Sequence, residues 1–161
     1  MNVFTVSLFG HRRIDDLRKL ENRLIPILRE LIQGERYVNF LIGRNGEFDE
    51  YAASLIKRVQ REVWGENCDL TLVLPYTVAD MKYYGAYYDC VVIPEELWSV
   101  HPKSAITAKN RWMIERSELV IVYLERNRGG AYAAMKYAER LHRRVVNLGS
   151  PLPSMGTFNF S

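Results

Sequence analysis

The sequence is poor in cysteine, and its two thiols, Cys68 and Cys90, stand at no CxxC spacing. That excludes a disulfide-stapled secreted scaffold and a zinc ribbon, and leaves two reduced thiols in a reducing compartment as the expectation. No apolar run approaches the ~18 residues a membrane helix needs, and no charged-then-apolar leader opens the chain, so a cytoplasmic location with no membrane partner is expected. HExxH, GxSxG and GxxxxGK[ST] are all missing, which removes support for a zinc protease, an α/β-hydrolase or a P-loop enzyme. No strict GxGxxG follows a strand, which counts against a dinucleotide dehydrogenase. His101 and His142 have no partners at metal-ligand spacing, so no metal is expected and no cofactor is required. Neither charge sign dominates: 22 basic and 19 acidic residues leave a net +3. On that ground nucleic acid is not expected as a partner. Repeats, linkers and low-complexity tracts are also missing, so residues 1–149 read as one domain with an irregular tail over 150–161.

What is present is alternation. NVFTVSLF is a continuous apolar run rich in β-branched and aromatic residues, the pattern of a buried parallel strand. Asp15 or Asp16 then caps a helix that carries Leu17, Leu20, Leu24, Leu28 and Leu31 on one face and stops at Gly34 in a left-handed turn. Pro26 lies inside it and predicts a kink or a split. YVNFLIG is a second strand, and Phe48 to Trp64 a second helix ended by Gly65. DLTLVLP is a third strand, TVADMKYYGAYYD a weaker helix, and CVVIP a short fourth strand. Helix resumes near Ser104, then strand at ELVIVYL, helix at GGAYAAMKYAERLH and strand at RVVNL. The predicted fold class is α/β, a three-layer Rossmann-like domain with a mostly parallel sheet of about six strands and helices on both faces.

In such a sheet ligands bind beyond the carboxyl ends of the strands, where strand order reverses. Four segments there carry candidate ligand-binding residues. Gly10, His11 and Arg12 follow the first strand, where a glycine, a helix start and two cationic groups suit a phosphate. Gly43, Asn45, Gly46, Glu47 and Asp49 follow the second; Asp49 is placed to accept from a ribose hydroxyl, or else Glu47 or Asp49 caps the helix. Gly129, Gly130 and Ala131 open the last helix as a phosphate cradle, or form only a tight turn. Arg111 precedes the fifth strand and reaches toward an anion, or lies at the surface. Tyr83, Tyr84, Tyr87 and Tyr88, at helical spacing, suit base stacking, a core or a subunit interface.

The order of these loops resembles the SLOG superfamily, Rossmann-like domains related to lonely-guy proteins and to the core of DNA-processing protein A, and most nearly its YpsA-like bacterial branch. The matching segments are LFGHRR (Leu8 to Arg13), IGRNGEFDEYAA with Gly43, Gly46, Asp49, Ala52 and Ala53, KNRWMIERSELVIVYL (Lys109 to Leu124), and Gly129-Gly130-Ala131. The resemblance covers about residues 3–149 and implies a nucleotide-type ligand. Ala131 stands where that branch has a threonine, and Glu115 and Glu118 replace its acidic pair. Lys136 stands where lonely-guy phosphoribohydrolases carry their catalytic glutamate; a lysine cannot stabilise an oxocarbenium-like centre, so catalysis would need Glu47 or Asp49 instead.

Three functions remain in view. The first is a sensor or ligand-binding domain for a small nucleotide derivative. The second is a phosphoribohydrolase or N-glycosidase acting on nucleoside phosphates. The third is a protein-interaction module that uses the tyrosine-rich segment. A homodimer is the expected assembly.

Overall fold

The computed structural model describes residues 2–63 and 67–150. The expected helix stop at Gly65 and the expected tail beyond Ser150 lie outside them. Six strands alternate with five helices: β1 Val3–Gly10, α1 Leu17–Gln33, β2 Tyr37–Ile42, α2 Glu47–Glu62, β3 Cys68–Val73, α3 Met81–Tyr87, β4 Cys90–Val92, α4 Pro102–Glu115, β5 Leu119–Tyr123, α5 Gly130–Arg140 and β6 Arg144–Asn147. A short 3-10 turn, Glu95–Leu97, precedes α4. All strands pair in parallel, in the order β4-β3-β2-β1-β5-β6. This is the α/β Rossmann-like architecture expected.

Period-two alternation sends successive strand side chains to opposite faces. Leu119, Ile121 and Tyr123 of β5 join Leu24, Leu28, Phe48 and Ile56 of α1 and α2 in one core. Val120 and Val122 join Met113, Ile114, Ala134 and Ala138 of α4 and α5 in the other. Each fully buried Leu or Ile contributes about 1.5–3 kcal/mol, so both layers are held by ordinary apolar burial.

The split expected at Pro26 and the left-handed stop expected at Gly34 are corrected. Of the two outcomes expected at Pro26, the split does not occur: α1 is continuous from Leu17 to Gln33. Pro26 and Asn22, whose carbonyl loses its partner, are both exposed, so water can meet that carbonyl. Gly34 closes the helix at φ −70° and ψ 173°, extended rather than left-handed. His101, outside any ligand set, caps α4, its Nδ1 accepting from the Lys103 N–H at 3.1 Å.

Strand order sets the functional geometry. The chain builds outward from β1 through β2 and β3 to β4, then α4 carries it back across the sheet to β5 on the other side of β1. The reversal therefore falls between β1 and β5, whose last paired residues are Gly10 and Tyr123. The loops leaving these strands diverge there and leave a crevice.

Candidate functional site

A cleft of about 460 Å³ occupies that crevice. The β1–α1 loop supplies Gly10, His11 and Arg12; the β2–α2 loop and first turn of α2 supply Gly43, Asn45 and Asp49. Arg126, Arg128, Gly129, Gly130 and Ala131 come from the β5–α5 connection, and Ile106, Lys109 and Asn110 from α4. Segments far apart in sequence thus converge on one volume, of the size that holds a single small ligand.

The loops are braced against one another. Gly46 lies so close to the first loop that a Cβ there would stand 2.5 Å from the Arg12 Cα. The Glu47 N–H donates to the Arg12 carbonyl at 2.8 Å. His11 is buried, and its Nε2 accepts from the Glu125 N–H at 3.0 Å, tying the loops after β1 and β5 together. Burial, with Arg126 close by, holds this imidazole below its ordinary pKa. His11 is therefore a neutral brace, not the charged phosphate contact its sequence position suggests.

Lys109, like Arg126, lines the cleft and was missed by sequence reasoning. It is only 2% exposed. Gly43 makes room for it, since a Cβ on Gly43 would collide with the lysine Nζ. Burial pulls the Lys109 pKa down, while the charge of Asp49 opposes the shift. Asp49, also buried, is pushed above the ordinary carboxylate range by desolvation, against the pull of the Asn45 N–H and of Lys109. Its Oδ2 accepts that N–H at 2.8 Å, which shapes the β2–α2 loop. Neighbouring Asn110 has a buried Oδ1 with no hydrogen-bond partner among the described residues. A helical-spacing signal for Lys109 was present: it falls four residues after Ala105 and four before Met113, on the buried face of α4.

Gly129 and Gly130 present the amino end of α5. Gly129 is the N-cap, at φ 95° and ψ −179°, a region only glycine occupies readily, and no side chain caps the helix. The first amides of α5 are thus left for another acceptor, and its dipole favours an anion. α1 differs, because the Asp16 side chain already accepts from the Lys19 N–H at 3.0 Å. The amino end of α1, expected to serve an anion beside Gly10, is occupied by its own cap. Among the described residues, four cationic side chains (Arg12, Lys109, Arg126 and Arg128) line the cleft against one carboxylate, a balance that suits an anion.

Three expected residues lie elsewhere. Gly46 packs against the first loop, as described, and does not line the cleft. Glu47 borders a shallow surface dent with Leu17, Glu50, Tyr51 and Ser54. Arg111 points along α4 toward α5, its guanidinium 4.8 Å from the centre of the Tyr137 ring. Lys136 pairs with Glu139 at 3.5 Å and does not line the cleft. The tyrosines pack on one another, with Tyr87 and Tyr88 centroids 5.0 Å apart, and Arg44 and Lys57 cover Tyr84 and Tyr87.

The parallel six-stranded sheet with its crevice between β1 and β5 defines a Rossmann-like protein. Among solved structures the fold is similar to DNA processing protein A from Helicobacter pylori, described for its single-stranded DNA binding mode: TM-score 0.61, 15% identity, 89% of this chain and 64% of that chain covered. At that identity the likeness concerns the fold, which is the one the SLOG resemblance implied. No protein family and no curated protein sequence matches the chain. The expectation that nucleic acid is not a partner is overturned, because a protein with this fold binds single-stranded DNA. Its basis was net charge, which says nothing about where charges gather. Among the described residues no helix is long and apolar enough to cross a membrane, and no cluster of three His, Cys, Asp or Glu side chains suits a metal ion.

Proposed function

We propose that the cleft binds the phosphate of a nucleotide-type ligand and that the chain is a ligand-binding or sensor domain. One observation carries this reading: Lys109, buried in the cleft wall, stands in the same crevice as the uncapped amino end of α5. A buried ammonium costs desolvation energy; Asp49, already engaged by the Asn45 N–H, offsets part of it, and a bound phosphate would offset the rest. Gly129 and Gly130 hold the phosphate through their amides, Lys109 and Arg12 neutralise it, and Asn45 reaches the sugar. Among the described residues Asp49 is the one carboxylate lining the cleft, and it is engaged with Asn45 and faced by Lys109. That favours binding over hydrolysis of a glycosidic bond. The SLOG-type loops and the two free thiols fit a bacterial, YpsA-like protein of the reducing cytoplasm.

A second reading gives the phosphate to a single-stranded nucleic acid. The shared fold with a single-stranded DNA-binding protein favours it, as do the exposed Arg12, Arg126 and Arg128 along the cleft.

Calorimetry with AMP and with ribose 5-phosphate tests the phosphate site. The wild-type chain binds both, and Lys109→Met weakens both roughly tenfold to a hundredfold, the loss of one charged hydrogen bond of about 1.5–3 kcal/mol. Lys109→Met also removes the cation that faces buried Asp49, so its melting temperature falls, and circular dichroism at the titration temperature confirms that the variant is folded when the affinities are compared. Equal affinity in the two proteins, or no wild-type binding at millimolar ligand, rejects the reading.

A further inference from the structure

A second opening lies on the same edge of the sheet, beyond β3 and β4. Pro75, Tyr76, Ile93, Leu97, Trp98 and Pro102 line it, around a volume of about 700 Å³. Its walls come from segments that leave β3 and β4 at their carboxyl ends, the side of the sheet where the cleft also lies. Two of its aromatic side chains are open to solvent, Trp98 at 70% and Tyr76 at 48%. Trp98 is nevertheless held: its indole N–H donates to the Ile93 carbonyl at 3.3 Å, and it directly follows the 3-10 turn. A large flat ring is thus fixed by its edge, and water covers surface that burial would favour.

Helix α4 joins this groove to the cleft. Pro102 lines the groove, and Ile106 and Lys109 line the cleft. Spacings of four and seven residues put all three on one helix face. At a rise of about 1.5 Å per residue, Ile106 lies about 6 Å and Lys109 about 10 Å along the axis from Pro102. A single nucleotide spans a comparable distance from its phosphate to the far edge of its base.

We infer that the groove is a base-binding subsite: a nucleobase joined to the phosphate in the cleft stacks on Trp98, with Tyr76 beside it. The inference rests on the phosphate reading above and adds the part of the ligand that reading leaves open. Proline and aliphatic side chains form most of the groove, so stacking rather than hydrogen-bond readout governs recognition, and every base is acceptable. The base belongs either to a free nucleotide or to a nucleotide within a single strand; the chemistry of stacking is common to both.

Titration of the full chain with ribose 5-phosphate, AMP and a single-stranded thymidine oligonucleotide separates these cases. Ribose 5-phosphate carries the phosphate but no base. The expected result is that AMP or the oligonucleotide binds about tenfold more tightly per phosphate than ribose 5-phosphate, the size of one base–aromatic stack. Trp98→Leu removes that margin and leaves ribose 5-phosphate binding unchanged. Trp98→Phe keeps most of it, and Tyr76→Ala lowers it by a smaller factor. A loss for AMP identifies a free nucleotide as the source; a loss confined to the oligonucleotide identifies a strand. The subsite is refuted if ribose 5-phosphate binds while Trp98→Leu leaves AMP and oligonucleotide at wild-type affinity. If wild-type protein binds none of the three, the phosphate reading fails and the subsite falls with it. Both tryptophan substitutions are at an exposed position, so retained melting temperature confirms that the variants are folded.

Discussion

His11 accepts the Glu125 N–H only while its Nε2 is unprotonated. Its pKa in the folded chain lies below the ordinary 6.5, through burial first and Arg126 second. Between the lowered value and 6.5 the unfolded chain holds more protons than the folded one. Stability is therefore complete above that window and declines as pH falls through it. Urea titrations at a series of pH values should show this decline, with a limiting slope of about 1.4 kcal/mol per pH unit. His11→Gln, which keeps an acceptor but cannot titrate, should flatten that part of the profile. An unchanged slope in the variant would show that other groups produce it. The same residue marks how far sequence reading reaches: its position in the cleft wall was visible, its protonation state and partner were not. Lys109 is the opposite case. A lysine reads as a surface residue; its spacing from Ala105 and Met113 points toward the buried face of α4, and the packing over the glycine at position 43 shows it buried.

At the scale of elements, α5 places an anion site by the way it begins. Gly129 adopts a conformation nearly closed to other residues, whereas Gly130 is the first residue of α5 and has no atom within 4 Å of an added Cβ. The two glycines therefore make unlike predictions. Gly129→Ala should cost about 1–3 kcal/mol in urea unfolding and weaken AMP binding, because the strained cap must move. Gly130→Ala should leave stability near wild type, and AMP affinity should fall only slightly, through the methyl at the cleft wall. If both variants behave alike, the cap geometry is not what shapes the site. The GG pair was legible as a strand-to-helix punctuation mark. The Asp16 cap on α1 was legible too; that α5 begins without a side-chain cap was not, since both helices follow strands and polar loops.

For the molecule as a whole, the decisive feature is where the chain reverses. Because α4 returns it across the sheet, loops from residues 10–12, 43–49 and 126–131 meet over one crevice, and the cationic groups gather there despite a net charge of only +3. Salt should report what those charges hold. For a single strand, log affinity falls against log salt with a slope of about −0.7 per phosphate neutralised. Engagement of Arg12, Arg126 and Arg128 by separate phosphates of an oligonucleotide should thus give a slope near −2, while AMP, with one phosphate group, should give a shallower slope. Matching slopes for the two ligands would mean that the oligonucleotide uses the cleft no differently from the nucleotide.

Alternation of apolar runs at periods of two and 3.6 sufficed to name the architecture, because each period admits only one way to bury its apolar face. The glycine-bearing loops were likewise visible as places where strands end and helices begin. Strand order, the cap left open on α5, the lysine buried beneath Gly43 and the path of α4 from Pro102 to the cleft belong to the tertiary structure alone. They depend on contacts between residues distant in the chain, and local spacing carries no record of which loop will lie across from which.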